Sequence, residues 1–266
     1  MKNITLQLLD AQNKVLAEAT AVDKTYLAYQ SQYALGNFYR VRITEAPAYI
    51  WVQLDASLAP TLLYIDQRDW DFKIPYNLQR EWPYPDAAFL GKRHYAWVRF
   101  AKEDEIKAYQ NLAVNTYDQH TETNAYPHAS ANAETRDEMV FYAKNAIDGV
   151  IANEKHGSYP FQSWGIAERA DAELTLDFGR PVLLDKLVVV LRADYPHDSY
   201  WPEVTVEFSN GTSRKLALEK TANPQSFEFP SLQVAWLKLT HLVKDKDVST
   251  FPALTQLEAW GRNIVK

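Results

Sequence analysis

Alternation with a period of two recurs along this chain, and it leaves few architectures open. Phe38 to Ile43 sets Phe38, Arg40 and Arg42 against Tyr39, Val41 and Ile43, the pattern of a strand with one buried face. Ala48–Leu54 and His94–Phe100 repeat it, and Ile4–Leu9 with Val15–Ala19 flank Asp10-Ala11-Gln12-Asn13 as a hairpin. Thr61–Ile65 and Phe72–Ile74 add two short runs. Beyond residue 170 come 172–178, an aliphatic run at 183–192, 203–208, 214–218, 225–229, 234–239 and 255–261. Asn210-Gly211 between two of these is a strong short-range hairpin signal. Short strands at turn-punctuated intervals predict antiparallel sandwiches, and roughly eight in the second half fit a jelly roll.

Two stretches change period. Glu103–Val114 puts Ile106, Tyr109, Leu112 and Ala113 on one helical face, and Glu134–Lys144 turns Met139, Val140 and Ala143 inward. The expectation is an all-β protein of two β-sandwich domains, 1–102 and 134–266, joined by a helical and loop linker over 103–133. Within the first domain, Tyr76–Gly91 carries Trp82-Pro83-Tyr84-Pro85, an irregular aromatic segment that closes a sandwich end or lines a groove. The histidines His120 and His128 fall in the linker.

Composition excludes several function classes. A net charge of −6 with scattered Lys and Arg leaves no basic footprint for nucleic acid or an anionic membrane. With no cysteine there is no disulfide or thiolate metal site. No stretch approaches the roughly 20 apolar residues of a membrane span, and the N-terminus lacks a signal-peptide core, so a cytoplasmic location is expected. None of the 8 glycines builds a phosphate loop, and neither G-x-S-x-G nor H-E-x-x-H occurs.

The stretch Asn145–Gly165 fits neither period. Asp148-Gly149 and His156-Gly157 are turn signals, yet Ile147, Phe161 and Trp164 are residues that pack. A long irregular segment of this kind is a functional loop on a rigid scaffold.

From Asn145-Ala146-Ile147-Asp148-Gly149, through Trp164 and Leu174-Thr175-Leu176-Asp177-Phe178-Gly179 with Pro181, to Val188–Arg192 and Leu257-Glu258-Ala259-Trp260-Gly261, the C-terminal half resembles the galactose-binding-like domains. These include the discoidin or coagulation-factor type C domains and the family-32-like carbohydrate-binding modules. The resemblance spans about 140 to 261 and implies a jelly roll that recognises a saccharide without catalysis, through loops at one end. It also implies a structural calcium held by Asp148, Asn153 and Glu258, since calcium takes six to eight oxygens. The Thr that usually precedes the Trp is out of place here, and His156–Phe161 is an insertion.

Two segments carry the chemistry a sugar needs, 156–164 and 192–202. Aromatic faces stack on the ring, and Arg, Asp and His give directional hydrogen bonds. The expected ligand-binding residues are His156, Trp164, Arg192, His197, Asp198 and Trp201, with Phe251–Leu254 as an apolar wall. The alternative for Arg192 and Asp198 is a brace for the loop, and for Trp201 a core plug. Two other functions stay open: a carbohydrate-active hydrolase or metal-dependent enzyme using His156, His197 and Asp198, with Glu134, Asp137 and Glu138 nearby, and a protein-interaction module whose exposed aromatics form a homodimer.

Overall fold

The computed structural model describes residues 2–76 and 83–265; Trp82 of the expected aromatic segment lies outside the described residues. The first half contains β1 (Asn3–Leu9), β2 (Val15–Val22), β3 (Lys24–Tyr29), β4 (Phe38–Ile43), β5 (Ala48–Gln53), β6 (Thr61–Ile65), β7 (Asp69–Lys73) and β8 (His94–Phe100). Then come α1 (Glu103–Lys107), β9 (Gln110–Asn111), β10 (Ala125–Tyr126) and β11 (His128–Ala131). The second half contains β12 (Trp164–Gly165), β13 (Leu174–Leu191), β14 (Glu203–Phe208), β15 (Ser213–Ala217), β16 (Gln225–Val243) and β17 (Ala253–Asn263).

Two antiparallel sheets, β2-β1-β4-β7 and β10-β6-β5-β8-β3, make the N-terminal sandwich. Alternation puts Ile4, Leu6, Leu8, Val41 and Phe72 of one sheet into a common core with Ile50, Val52, Leu63 and Val98 of the other. On the outer face Arg40 and Arg42 make two-pronged pairs with Asp71 and Asp69 across β4 and β7. The side-chain amide of Gln119 lies against edge strand β7, accepting from Lys73 N at 3.1 Å and donating to Lys73 O at 2.7 Å.

The C-terminal sandwich is one ladder folded over. Residues 174–177 of β13 pair with 236–239 of β16, and 182–189 pair with 225–234, with breaks after Asp177 and Leu184. Side-chain parity follows the second break: Leu174, Leu176, Phe178, Val182 and Leu184 point into the core, and past it Leu187, Val189 and Leu191 do. The Gly179-Arg180-Pro181 sequence that reads as a strand end is therefore a bend within one strand. Gly179 sits at φ +66°, and a Cβ there would fall 2.2 Å from the Tyr126 ring.

The two helical expectations are overridden. Only Glu103–Lys107 is α-helical. Gln110 and Asn111 instead pair with Gly261 and Trp260, and Tyr109 stacks on Trp260. Residues 134–144 form short 3-10 turns at 135–137, 139–141 and 143–147, because Arg136 and Asp137 take positive φ. Side-chain and distant backbone partners satisfy the turn backbone, Ala143 N donating to Glu134 Oε1 and Ser163 N to Val140 O. The segment between the sandwiches is woven into both: β10 pairs β6, β11 pairs β13 and β9 pairs β17. Arg180 fastens them further, stacking on Tyr49 and Tyr64 and donating to Asn263 Oδ1. Among the described residues no helix is long and apolar enough to cross a membrane.

Candidate functional site

Where β13 leaves the sheet at Leu191 and β17 enters it at Ala253, the two strands lie side by side, and β12 pairs Gly165 with Ala253. Their ends bring four chain segments to one pole. Between them is a cavity of about 150 Å³ lined by 135–136, Phe141, His156, 165–166, Arg192, His197 and 251–253. Phe141, Ile166, Pro252 and Ala253 are buried and give it an apolar floor, with half-exposed Phe251 at the rim. Glycine is required at 165: a Cβ would stand 2.5 Å from Thr135 Oγ1.

Arg192 is the buried cation of the site, with a side chain 7% exposed. Its Nε and Nη2 donate to Asp198 Oδ2 and Oδ1 at 2.9 and 2.8 Å, and Nη2 also donates to the Phe251 carbonyl. A buried charge is tolerated only with such partners. Burial pushes the Asp198 carboxyl above the usual carboxylate range, although Arg192 beside it pulls the other way. His156, exposed, faces Asp194 Oδ2 through Nδ1 at 2.5 Å. His197, also exposed, is held by its backbone: its N–H donates to Asp194 O and its carbonyl accepts from Ser249 Oγ. Arg136 lies over the Phe141 ring and pairs with Glu138.

The six expected ligand residues thus divide. His156, Arg192 and His197 meet at one cavity. Asp198 stands behind Arg192 as its brace and does not line the cavity. Trp164 and Trp201 are core side chains, 0% and 1% exposed and 6.3 Å apart, so neither offers a face to a ligand. Of the expected wall Phe251–Leu254, the first three residues line the cavity and Leu254 is buried in the core. Thr135, Arg136, Phe141 and Ile166 join them; the acids of 134–138 draw attention to the first segment, but reading 134–144 as a helix conceals which of its side chains reach this pole.

Of the calcium ligands expected from the resemblance, Asp148 and Glu258 already hold protein hydrogen-bond partners. Both oxygens of Asp148 are engaged, Oδ1 by Val150 N–H at 2.8 Å and Oδ2 by Gln162 Nε2 at 2.6 Å. Burial raises its pKa to about 7. Asn153 donates its amide N–H groups to the carbonyls of Leu191 and Ala222, which orients its side chain, and Glu258 accepts from the Trp260 indole. Among the described residues, the His/Asp/Glu trio with ligand atoms within 4.8 Å of one another is His120, Glu134 and Asp137, which includes neither Asp148 nor Glu258.

The chain is similar to solved carbohydrate-binding modules. One is a fucose-binding module of Streptococcus pneumoniae, at 13% identity and TM-score 0.42, covering 58% of this chain and 99% of that one. Another is chitosan-binding module 1 of a chitosanase/glucanase from Paenibacillus sp. IK-5, at 16% and 0.40, covering 58% and 100%. A third is a family 32 module from Clostridium perfringens in complex with galactose, at 17% and 0.38, covering 50% and 91%. No family model and no curated protein matches the chain.

Proposed function

We propose that this protein recognises a saccharide, without catalysis, in the cavity formed by His156, Arg192 and His197. The observation that carries the reading is the pairing of an apolar floor with hydrogen-bonding side chains converging from three loops. The floor takes the C–H face of a ring, and the imidazoles and guanidinium take its oxygens. Its volume is below that of pockets for drug-sized molecules, which suits a single sugar residue, such as a chain end. Binding is favoured over glycoside hydrolysis because the two-carboxylate chemistry needs a pair of acids flanking the bond, and no Asp or Glu lines this cavity among the described residues.

A glycan-array screen followed by calorimetric titration tests this. His156→Ala and His197→Ala, both exposed and safe for folding, should each weaken binding about tenfold or more. A ligand that binds both variants as tightly as the native chain would place recognition elsewhere. Release of reducing sugar from a bound oligosaccharide would overturn the non-catalytic part.

A further inference from the structure

The cavity is lopsided in its hydrogen-bonding chemistry. Among the described residues its charged and titratable lining is Arg136, His156, Arg192 and His197, with no acid, in a chain whose net charge is −6. The acids paired with these cations, Glu138, Asp194 and Asp198, do not line it. They hold the cations in place at the edge of the cavity. Arg192 shows this clearly. Nε and Nη2 are committed to Asp198 and Phe251, whereas Nη1 makes no hydrogen bond among the described residues. This is a nine-tenths-buried guanidinium that lines the cavity and keeps one nitrogen outside its hydrogen bonds to the described residues.

Neutral sugars are read by both donors and acceptors, because each hydroxyl gives one hydrogen and takes others. Acceptors are scarce here. Thr135 Oγ1 already accepts from Ala167 N–H at 3.0 Å. A ring nitrogen of either histidine accepts only while that ring is neutral. The group that satisfies several donors and asks for no acceptor is an anion. A carboxylate has two oxygens and matches the guanidinium in planarity.

We infer that the saccharide bound here is acidic, a uronic acid whose carboxylate meets Arg192 Nη1 and the histidines while its ring lies on Phe141, Ile166 and Pro252. This inference rests on the proposed saccharide function and narrows it. The test is calorimetry on the full chain with two matched pairs, methyl galactoside against methyl galacturonoside and methyl glucoside against methyl glucuronoside, with galactose 6-sulfate as a further arm. In at least one pair the uronate should bind about tenfold or more tightly than the neutral sugar. That ratio should shrink in high salt and in Arg136→Gln and His197→Gln, two exposed positions whose folding circular dichroism verifies. A neutral sugar that binds as tightly as its uronate overturns the inference and leaves saccharide recognition standing. Galactose 6-sulfate binding as tightly as the uronates overturns the carboxylate assignment. Binding of none of these compounds overturns both readings.

Discussion

Asp148 stores a pH dependence that can be worked out from its surroundings. In the folded chain burial holds its pKa at about 7, against 3.8 for the free side chain. Between those values the folded state binds one proton more than the unfolded state. The stabilisation from that proton is complete below about pH 4 and is lost as pH rises through about 7. From 3.8 to about 7 is roughly three pH units, which at about 1.4 kcal/mol each amounts to about 4 kcal/mol. Lys144, buried nearby, works against the effect but does not cancel it. The geometry also suits a neutral group. Gln162 Oε1 has no partner, and turning that amide over would set it against a protonated Oδ2. Asp148→Asn removes the ionisation, keeps the acceptor for Val150 N–H and supplies an N–H for the turned Gln162. Urea unfolding of both proteins at about pH 5 and about pH 8 isolates the residue, because other titrations cancel in the difference. The variant should gain about 3 kcal/mol on the native chain between the two pH values. A difference independent of pH, or a variant less stable at the higher pH, would refute the reasoning.

Further consequences follow from the same packing. Asp198→Ala leaves the buried Arg192 charge without its partner and should cost about 3–5 kcal/mol in urea unfolding, and the double variant Arg192→Met/Asp198→Leu should recover most of it. Gly179→Ala drives a methyl into Tyr126 at a positive φ and should lower stability by about 2–4 kcal/mol in thermal unfolding; adding Tyr126→Ala should relieve the clash and not the φ penalty. Added calcium, or a chelator, should leave the melting temperature at neutral pH unchanged; a rise of several degrees with calcium would show that Asp148, Asn153 and Glu258 rearrange around an ion.

What the sequence revealed and concealed follows from the range of the forces involved. The hairpins were legible because their causes are local: Asp10 Oδ1 accepts from Gln12 N and Lys14 N, and Asn210 Oδ1 from Thr212 N. The strand Lys24–Tyr29 gave no comparable signal, since its outer residues Tyr26 and Ala28 are no more polar than its inner ones. The long strands β13 and β16 were divided in the reading at Gly179-Arg180-Pro181 and near Pro230, where local turn chemistry and long-range pairing disagree and pairing wins. Of the site, His156, Arg192 and His197 were visible as polar residues next to strand ends. The fates of Trp164 and Trp201 were not, because an aromatic side chain is equally at home in a core or on a platform. Thr135 and Arg136 depended on two left-handed residues that no glycine announces.

The amide of Gln119 has a consequence for how this chain keeps to itself. A sheet border ordinarily exposes a row of open backbone groups that any extended segment can join. At Lys73 that invitation is withdrawn by one side chain, which answers both the N–H and the carbonyl as a neighbouring strand would. Asn124, just before β10, donates likewise to the Asp69 carbonyl at the other end of β7, so two side chains finish the border and steer the path toward the second sandwich.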